Sequence, residues 1–406
     1  MQCLVTGKYY GADGNSSPFI INAFRMRLLL INAVCGTGST GRIAAKIASE
    51  HEARGWEVKF AYGREAYVPE NCKKWAIRIG NKLSVRMHGI LTRFLDLHGN
   101  GLCSYFTTKR FLKWAEKWKP DVVWLHNIHG YYINYELLFK WLKKHPEIEV
   151  KWTLHDAWAF TGHCSGLLRS NCQKWQNGCH HCKEKNEYPK SILFCRSESN
   201  WKRKEAAFTG IKNLTLITPS KWLADLTRKS FLKEYPVEVV HNTIDTSVFK
   251  PTPSNFRERY GLQDKVVILG VASTWDDRKG LQDFLELRTL LDDKYVIVLV
   301  GLTQAQIKNL PKHIIGIART NSAKELAEIY TASDCFLNPT VGENYPTVNL
   351  EAKACGCNIA TYDTGGSSET VAGYSKAKVL SGSDKCVAGL KAYVINLTTS
   401  RGGGGG

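Results

Sequence analysis

Gly342-Glu343-Asn344-Tyr345-Pro346-Thr347-Val348-Asn349-Leu350-Glu351-Ala352, followed by Ala354-Cys355-Gly356 and Thr364-Gly365-Gly366, is the stretch on which the organisation of the chain turns. The apolar run Cys335-Phe336-Leu337 precedes it, and Gly342 permits a sharp backbone turn. The pattern predicts strand, loop, helix, with Glu343 in the loop and Glu351 inside the helix. Seven residues lie between the two carboxylates, about two helical turns, so both are expected on one side. Two glutamates so spaced are often only a solvated helix face. The Asn-Tyr-Pro, Ala-Cys-Gly and Gly-Gly surroundings point to a site instead.

Outward from this stretch, apolar β-rich runs alternate with helical patterns over nearly the whole length. The runs are Leu28–Val34, Val58–Tyr62, Val122–Leu125, Val150–Leu154, Leu214–Thr218, Val237–Val240, Val266–Ala272, Tyr295–Val300, Ile314–Ile317, Cys335–Leu337 and Asn358–Tyr362. Strands apolar on both faces and separated by helices predict buried parallel sheets, an α/β architecture. Eleven such runs exceed one sheet, and 406 residues exceed one ordinary core, so two domains are expected. The turn-forming segment Asp245–Ser254 serves as the linker between residues 26–244 and 255–380. Residues 1–25 lack periodicity and precede Met26-Arg27-Leu28-Leu29-Leu30, which reads as a natural start; they are expected to be a non-native or disordered extension. Thr398-Thr399-Ser400-Arg401 and five glycines have linker composition, so 381–406 reads as a truncated or flexible tail.

Composition is that of a water-soluble chain, 43% apolar and 23% charged, with no apolar stretch near the ~20 residues a spanning helix needs. The N-terminus lacks the apolar centre of a secretion signal, which predicts a cytoplasmic address. A formal charge of +18 implies an anionic partner. Lys73–Lys119 holds eleven Lys and Arg against Asp96 and Glu116, a surplus of nine, interleaved with aromatic and aliphatic residues. Such a stretch either lies on an anionic membrane surface, here the inner face of the plasma membrane, or is a helix pair with its aromatics packed inward.

Three further segments carry chemistry. Cys35-Gly36-Thr37-Gly38-Ser39-Thr40-Gly41-Arg42 joins the first strand to a helix, where backbone N–H groups and the helix dipole attract phosphate. A dinucleotide reading also requires an acidic residue ending the second strand, and Phe60-Ala61-Tyr62 is followed by Gly63 and Arg64 instead. His155 in Trp152-Thr153-Leu154-His155-Asp156-Ala157-Trp158 ends a strand, where open α/β sheets place ligands. Cys164, Cys172, Cys179 and Cys182 form a Cys-rich insertion at about 163–183, with His163, His180 and His181 inside it. The close Cys179/Cys182 pair is a zinc half-site. A structural zinc ion, two disulfides and free thiols are the alternatives, and a reducing compartment favours zinc.

These motifs resemble those of family 4 glycosyltransferases, the retaining, nucleotide-sugar-dependent enzymes of GT-B fold, over about residues 26–372. The Glu343-x7-Glu351 spacing matches their E-x7-E signature. The resemblance implies two Rossmann-like domains facing a cleft, with Glu343 on the transferred sugar and Glu351 on the ribose. It places Asn344, Tyr345, Pro346 and Thr347 beside the sugar, His155 opposite them, and the Gly38-Ser39 amides on the donor phosphates. Lys279-Gly280 matches the family's phosphate-binding lysine; the usual arginine position holds Ser273 or Thr274, and Arg278 is the expected substitute. His241-Asn242-Thr243-Ile244-Asp245 resembles the family's hinge, with Thr243 in place of glycine. His126-Asn127-Ile128-His129-Gly130-Tyr131-Tyr132 and Asp96-Leu97-His98-Gly99 resemble a branch making bacterial surface polysaccharides, of capsule, exopolysaccharide or colanic acid type, and suit an acceptor pocket or a turn network. The implied partners are a nucleotide-sugar donor and a glycan or lipid-linked acceptor, with no catalytic cofactor and no nucleic acid. A nucleotide-sugar epimerase and a zinc-containing nucleic-acid-binding protein are the rival readings.

Overall fold

The computed structural model describes residues 25–64, 67–166 and 172–402, so the expected extension 1–25 lies outside it apart from Arg25. The first domain is a seven-stranded, all-parallel sheet of β1 (Arg27–Ile31), β2 (Glu57–Tyr62), β3 (Ala76–Arg78), β4 (Val122–Leu125), β5 (Glu149–Thr153), β6 (Leu214–Thr218) and β7 (Val237–Val239) in the order β3-β2-β1-β4-β5-β6-β7. The second holds β8 (Val266–Val271), β9 (Tyr295–Val300), β10 (Ile314–Ile317), β11 (Cys335–Asn338), β12 (Asn358–Tyr362) and β13 (Ala377–Leu380), ordered β10-β9-β8-β11-β12-β13.

Central strands are continuous apolar runs because helices cover both sheet faces. Leu28, Leu29, Leu30 and Ile31 of β1 are fully buried, as are all six residues of β9. The two strands absent from the eleven runs, β3 and β13, are sheet edges. Ala-Ile-Arg and Ala-Lys-Val-Leu are only partly buried there, so neither needs an unbroken apolar sequence. In each sheet the strand order reverses direction once, beside β1 and β4 in the first and beside β8 and β11 in the second. Crevices open at such switch points beyond the carboxyl ends of the strands.

Three helices of the first domain differ in how they use their faces. In α1 (Gly38–Ala53) and α3 (Tyr105–Trp118) the buried positions are mainly small or apolar, Ala44 and Ala48 in one, Phe111, Leu112 and Ala115 in the other. In α2 (Lys82–Leu95) the pattern is inverted. His88 and Thr92 point inward, while Leu83, Met87, Ile90 and Phe94, at helical spacing, are exposed. Leu83 is 66% exposed, and Phe106 at the start of α3 is 80% exposed. Ile192, Leu193 and Phe194 extend the same apolar surface, since the Ile192 N–H bonds the Arg93 carbonyl at the end of α2. Exposed Lys82, Arg86, Arg93, Lys109, Arg110 and Lys113 accompany it. Of the two readings of Lys73–Lys119, inward-packed aromatics describe α3 and an outward apolar stripe describes α2.

The tail also departs from expectation. Residues 387–402, read from the sequence as flexible, form a helix packed on the second domain's core. Its sequence carries Leu390 and Val394 four residues apart, one face of a helix, and both are fully buried. The Tyr295 hydroxyl meets Thr398 Oγ1 at 3.0 Å. Leu390→Ala should therefore destabilise the second domain by about 2–5 kcal/mol, the ordinary cost of emptying a buried leucine site. Urea unfolding measures this; an unchanged midpoint would mean that the helix is not part of the core.

Candidate active site

The second domain supplies the site from two loops. After β8, Asp276 accepts from the Lys279 N–H (3.0 Å) and fixes a short turn, Asp277–Lys279. Gly280 follows at φ +75°, and a Cβ there would stand 2.7 Å from the Pro339 carbonyl oxygen. Only glycine allows this loop to lie flat on the one after β11. The two loops are then tied at Arg278, whose carbonyl accepts from Val341 N–H (3.0 Å) and Thr340 Oγ1 (3.1 Å). The result is direct contact between Lys279 Nζ and Glu343 Oε1. Burial, and after it the Arg278 guanidinium, bring the Lys279 ammonium down to about 8, while contact with the Glu343 carboxylate provides its counter-charge. Arg278 itself is half-exposed, 3.9 Å from Asp276.

Asn344 is held by the first domain on both ends of its amide. Its Nδ2 donates to the His155 carbonyl (2.9 Å), and its Oδ1 accepts from Ser220 Oγ (2.8 Å). Gly366 closes behind it: a Cβ would meet the Asn344 carbonyl oxygen at 2.1 Å and Ser220 Cβ at 2.7 Å. Next along the chain, Tyr345 stacks on His241 at 4.8 Å. Pro346 then caps the helix Thr347–Ala354, which carries Glu351. Glu369 completes the domain contact, its carboxylate accepting the backbone N–H groups of Lys221 (2.8 Å) and Trp222 (2.9 Å) at a helix start.

Glu351 is only 9% exposed and accepts from the Tyr330 hydroxyl at 3.2 Å. Burial raises its carboxyl to about 7, opposed by the Tyr330 bond and by Arg42. Arg42 belongs to α1 of the other domain. Gly38 and Ser39 are exposed at the first turn of that helix, and a Cβ on Gly38 would meet nothing within 4 Å. The charge of Arg42 acts on Glu351 across the cleft, while Lys46 of the same helix donates to Thr243 Oγ1, just before the linker, at 2.7 Å.

On the first domain's side, His155 Nε2 and His126 Nδ1 share a hydrogen bond at 3.0 Å, with their rings stacked. Burial pushes His155 down to about 4 and holds His126 well below its usual range, so both are neutral imidazoles near pH 7. Asp156 accepts the Trp158 N–H (2.9 Å) and contacts His129 Nε2 (3.0 Å). Burial alone would raise the Asp156 carboxyl, but His129 and the Trp158 N–H outweigh it and hold it below its usual range. His129 in turn meets the Tyr188 hydroxyl at 3.2 Å. Asp96 and His98, by contrast, do not line the cleft; they are buried with His163 in a turn network.

The structure thus joins Lys279 with Glu343 and Asn344 with His155, between the carboxyl ends of the two sheets. Sequence reasoning gave no role to Arg42, Ser220, Tyr330 or Glu369, each of which acts through a partner distant in the chain. A cavity of about 730 Å³ lies elsewhere, at the amino-terminal edge of the first sheet beside Glu147, Lys212 and Tyr235, and none of the site residues line it.

Comparison with known proteins agrees with this layout. Residues 254–393 match the family model described as glycosyl transferases group 1. WcaC of Escherichia coli, assigned by name to colanic acid biosynthesis as a glycosyl transferase, is 23% identical over 350 residues, 82% of each chain. A GDP-mannose-dependent α-(1-6)-phosphatidylinositol monomannoside mannosyltransferase of Mycolicibacterium smegmatis is 32% identical over 162 residues, 35% of this chain and 42% of that one. Among solved structures, HepE of Anabaena in complex with UDP and glucose superposes with a TM-score of 0.61 at 12% identity, covering 92% of this chain and 90% of that one. The fold is GT-B, as the resemblance implied.

The buried Glu351 carboxyl sets a pH dependence. The folded state holds this proton more tightly than the unfolded chain, so stability falls as pH rises between about 4.5 and 7. The slope is at most about 1.4 kcal/mol per pH unit. Glu351→Gln should remove this fall, becoming more stable than the parent above pH 7 and not below pH 4.5. Thermal unfolding across that range checks it, and parallel curves for the two proteins would contradict the assignment.

Proposed function

From the premise that this chain is a glycosyltransferase whose residues 254–393 form a group 1 domain, we propose that it is a retaining, family 4 type enzyme of cell-surface polysaccharide or glycolipid synthesis. It would transfer a sugar from a nucleoside diphosphate to a hydroxyl of a glycan or lipid-linked acceptor. The observation that carries this reading is the Lys279–Glu343 pair, placed at the domain cleft by the Asn344 bridge.

In the reaction, the bond between the sugar's anomeric carbon and the diphosphate oxygen breaks, and a bond to the acceptor oxygen forms. The acceptor's proton passes to the leaving diphosphate, so attack on the front face needs no protein nucleophile. Negative charge grows on the departing phosphate, and preorganised cations next to it lower the barrier. Lys279 and Arg278 suit that role, with the exposed N–H groups of Gly38 and Ser39 opposite. The diphosphate competes with Glu343 for Lys279, which frees the carboxylate for the sugar hydroxyls. Glu351, at the base of the helix Thr347–Ala354, accepts from the ribose hydroxyls. The neutral His155 and the backbone N–H groups after Glu343 bind uncharged sugar oxygens without adding charge.

The test is thermal unfolding in UDP, GDP, dTDP and CMP, then transfer from the sugar donors of whichever nucleotide stabilises. At a hundred times its dissociation constant a nucleotide should add about 2.7 kcal/mol. Glu343→Ala should keep that shift and lose transfer by the order of 100-fold or more, as for losing one stabilising contact at a reacting centre. Full transfer by this variant would sink the reading.

The apolar stripe of α2 supports peripheral contact with an anionic membrane, where a lipid-linked acceptor resides. Leu83, Met87, Ile90 and Phe94 would enter the interface while Arg86, Arg93 and Lys109 meet lipid phosphates. Among the described residues no helix is long and apolar enough to cross a membrane. Full-length protein should float with vesicles of phosphatidylcholine and phosphatidylglycerol and not with phosphatidylcholine alone. Leu83→Ser with Ile90→Ser should weaken binding by at least about tenfold, given 1.5–3 kcal/mol per buried aliphatic side chain. Equal binding by the double variant would reject membrane contact through α2.

A further inference from the structure

Between β5 and the helix Ser197–Phe208 lies a segment whose thiols take no part in the transfer reaction. Cys164, Cys172, Cys179 and Cys182 line one cavity of about 220 Å³. All four are free thiols rather than disulfides. The thiols of Cys164 and Cys182 act on one another electrostatically. The Cys179 sulfur accepts the Gly162 N–H at 3.1 Å, a donor that stabilises thiolate over thiol. Glycine is needed there, since a Cβ would meet the Ser197 carbonyl oxygen at 2.0 Å and Cys179 Cβ at 2.7 Å.

Two buried groups beside the cavity lack the partners their chemistry calls for. Lys204 is fully buried, donates to the carbonyls of Trp158 (2.7 Å) and Thr161 (2.9 Å), and stands 3.6 Å from the Trp158 ring centroid. Among the described residues no carboxylate lies within ion-pair distance of it, and a buried ammonium without a counter-charge is costly. Of the ionisable groups acting on it, Cys179 and Cys164 come before Asp156 and Asp96. His163 lines the same cavity, 1% exposed. Its Nδ1 is fixed by Asp96 (2.8 Å), and its Nε2 has no hydrogen-bond partner.

We propose that Cys164, Cys172, Cys179 and Cys182 bind one zinc ion as four thiolates, with Lys204 as the buried counter-charge of this anionic centre. Four soft thiolates, two of them in a Cys-x2-Cys half-site, select zinc, and a four-thiolate zinc centre carries the negative charge that Lys204 lacks. No three of the sulfurs lie mutually within 4.8 Å, so binding draws the cavity walls inward. Asp96, His98 and His163 do lie within that distance of one another. There, however, one carboxylate oxygen stands 2.6 and 2.8 Å from the two ring nitrogens, the spacing of hydrogen bonds rather than of ligands around an ion. The zinc centre would hold the Trp158 and Thr161 carbonyls through Lys204, and thereby the turn that follows His155 and Asp156.

Metal content of the full-length protein, purified without chelator or polyhistidine tag, tests this directly and needs no transferase assay. One zinc per chain is expected, with Cys179→Ser and Cys182→Ser each losing it. Cobalt added to the chelator-treated parent protein should give thiolate charge-transfer bands and the visible bands of tetrahedral cobalt, a readout that survives if a variant fails to fold. Lys204→Gln should keep all four thiols yet weaken zinc binding by about 10–100-fold, the usual size of an outer-shell effect. Iron in place of zinc, paired disulfides by intact mass, or four freely alkylated thiols without metal would each overturn the proposal.

Discussion

The amide of Asn344 is the contact on which the cleft depends. It is a residue of the second domain whose donor end is taken by the backbone of His155 and whose acceptor end is taken by Ser220, both in the first. Because the two ends are chemically different, the side chain has one satisfied orientation, and this fixes the backbone beside it. Glu343 is the residue before it. The carboxylate that meets Lys279 is therefore positioned by contacts made to the opposite domain. Gly366 shows how little slack remains, since one methyl group there would overlap both Asn344 and Ser220.

Around that bridge, charge is arranged in pairs and in burial. Lys279 and Glu343 neutralise one another, Glu351 is held near its titration point by burial, and the histidines facing them are uncharged. In the proposed reaction such a cleft would attract a dianionic diphosphate through Lys279 and Arg278, with little repulsion from Glu343 because it is already paired. The glycines at 280 and 366 belong to the same design. Each lets two loops approach within a distance no side chain permits, and each approach brings a charged or hydrogen-bonding group to the cleft.

Much of this was legible in the sequence, and the reason is local. Gly342 to Ala352, Lys279-Gly280 and Gly365-Gly366 act within single strand–loop–helix units, so their spacing carries the geometry. The nine interior strands were legible because burial on both faces demands unbroken apolar runs, and the edge strands β7 and β10 because their short sequences are mostly apolar anyway. β3 and β13 were not, as edge strands make no such demand. Arg42, Ser220, Tyr330 and Glu369 were hidden for another reason. Their roles come from partners brought near by the packing of one sheet unit against another, and nothing in their own neighbourhood marks them. The terminal helix Val387–Gly402 was obscured by its own composition, because threonines and glycines at its end masked the Leu390 and Val394 face.

α2 and the thiol cavity share a physical logic. In each, residues are arranged against the usual rule, and the inversion itself is informative. A helix that buries His88 and Thr92 while exposing Leu83, Met87, Ile90 and Phe94 has its faces reversed for water. The inner face is explained, since His88 Nδ1 meets Ser104 Oγ at 2.8 Å and Thr92 bonds the Leu97 carbonyl. The outer face is exposed among the described residues, and the proposed membrane contact would supply the apolar environment it lacks. Lys204 poses the same problem in the interior, a cation placed where only an anion would balance it. α2 ends at Asp96, which bonds His163, and Lys204 holds the Trp158 and Thr161 carbonyls in the turn after Asp156. A zinc ion bound as proposed would therefore bear on the turn after His155 and Asp156 through Lys204.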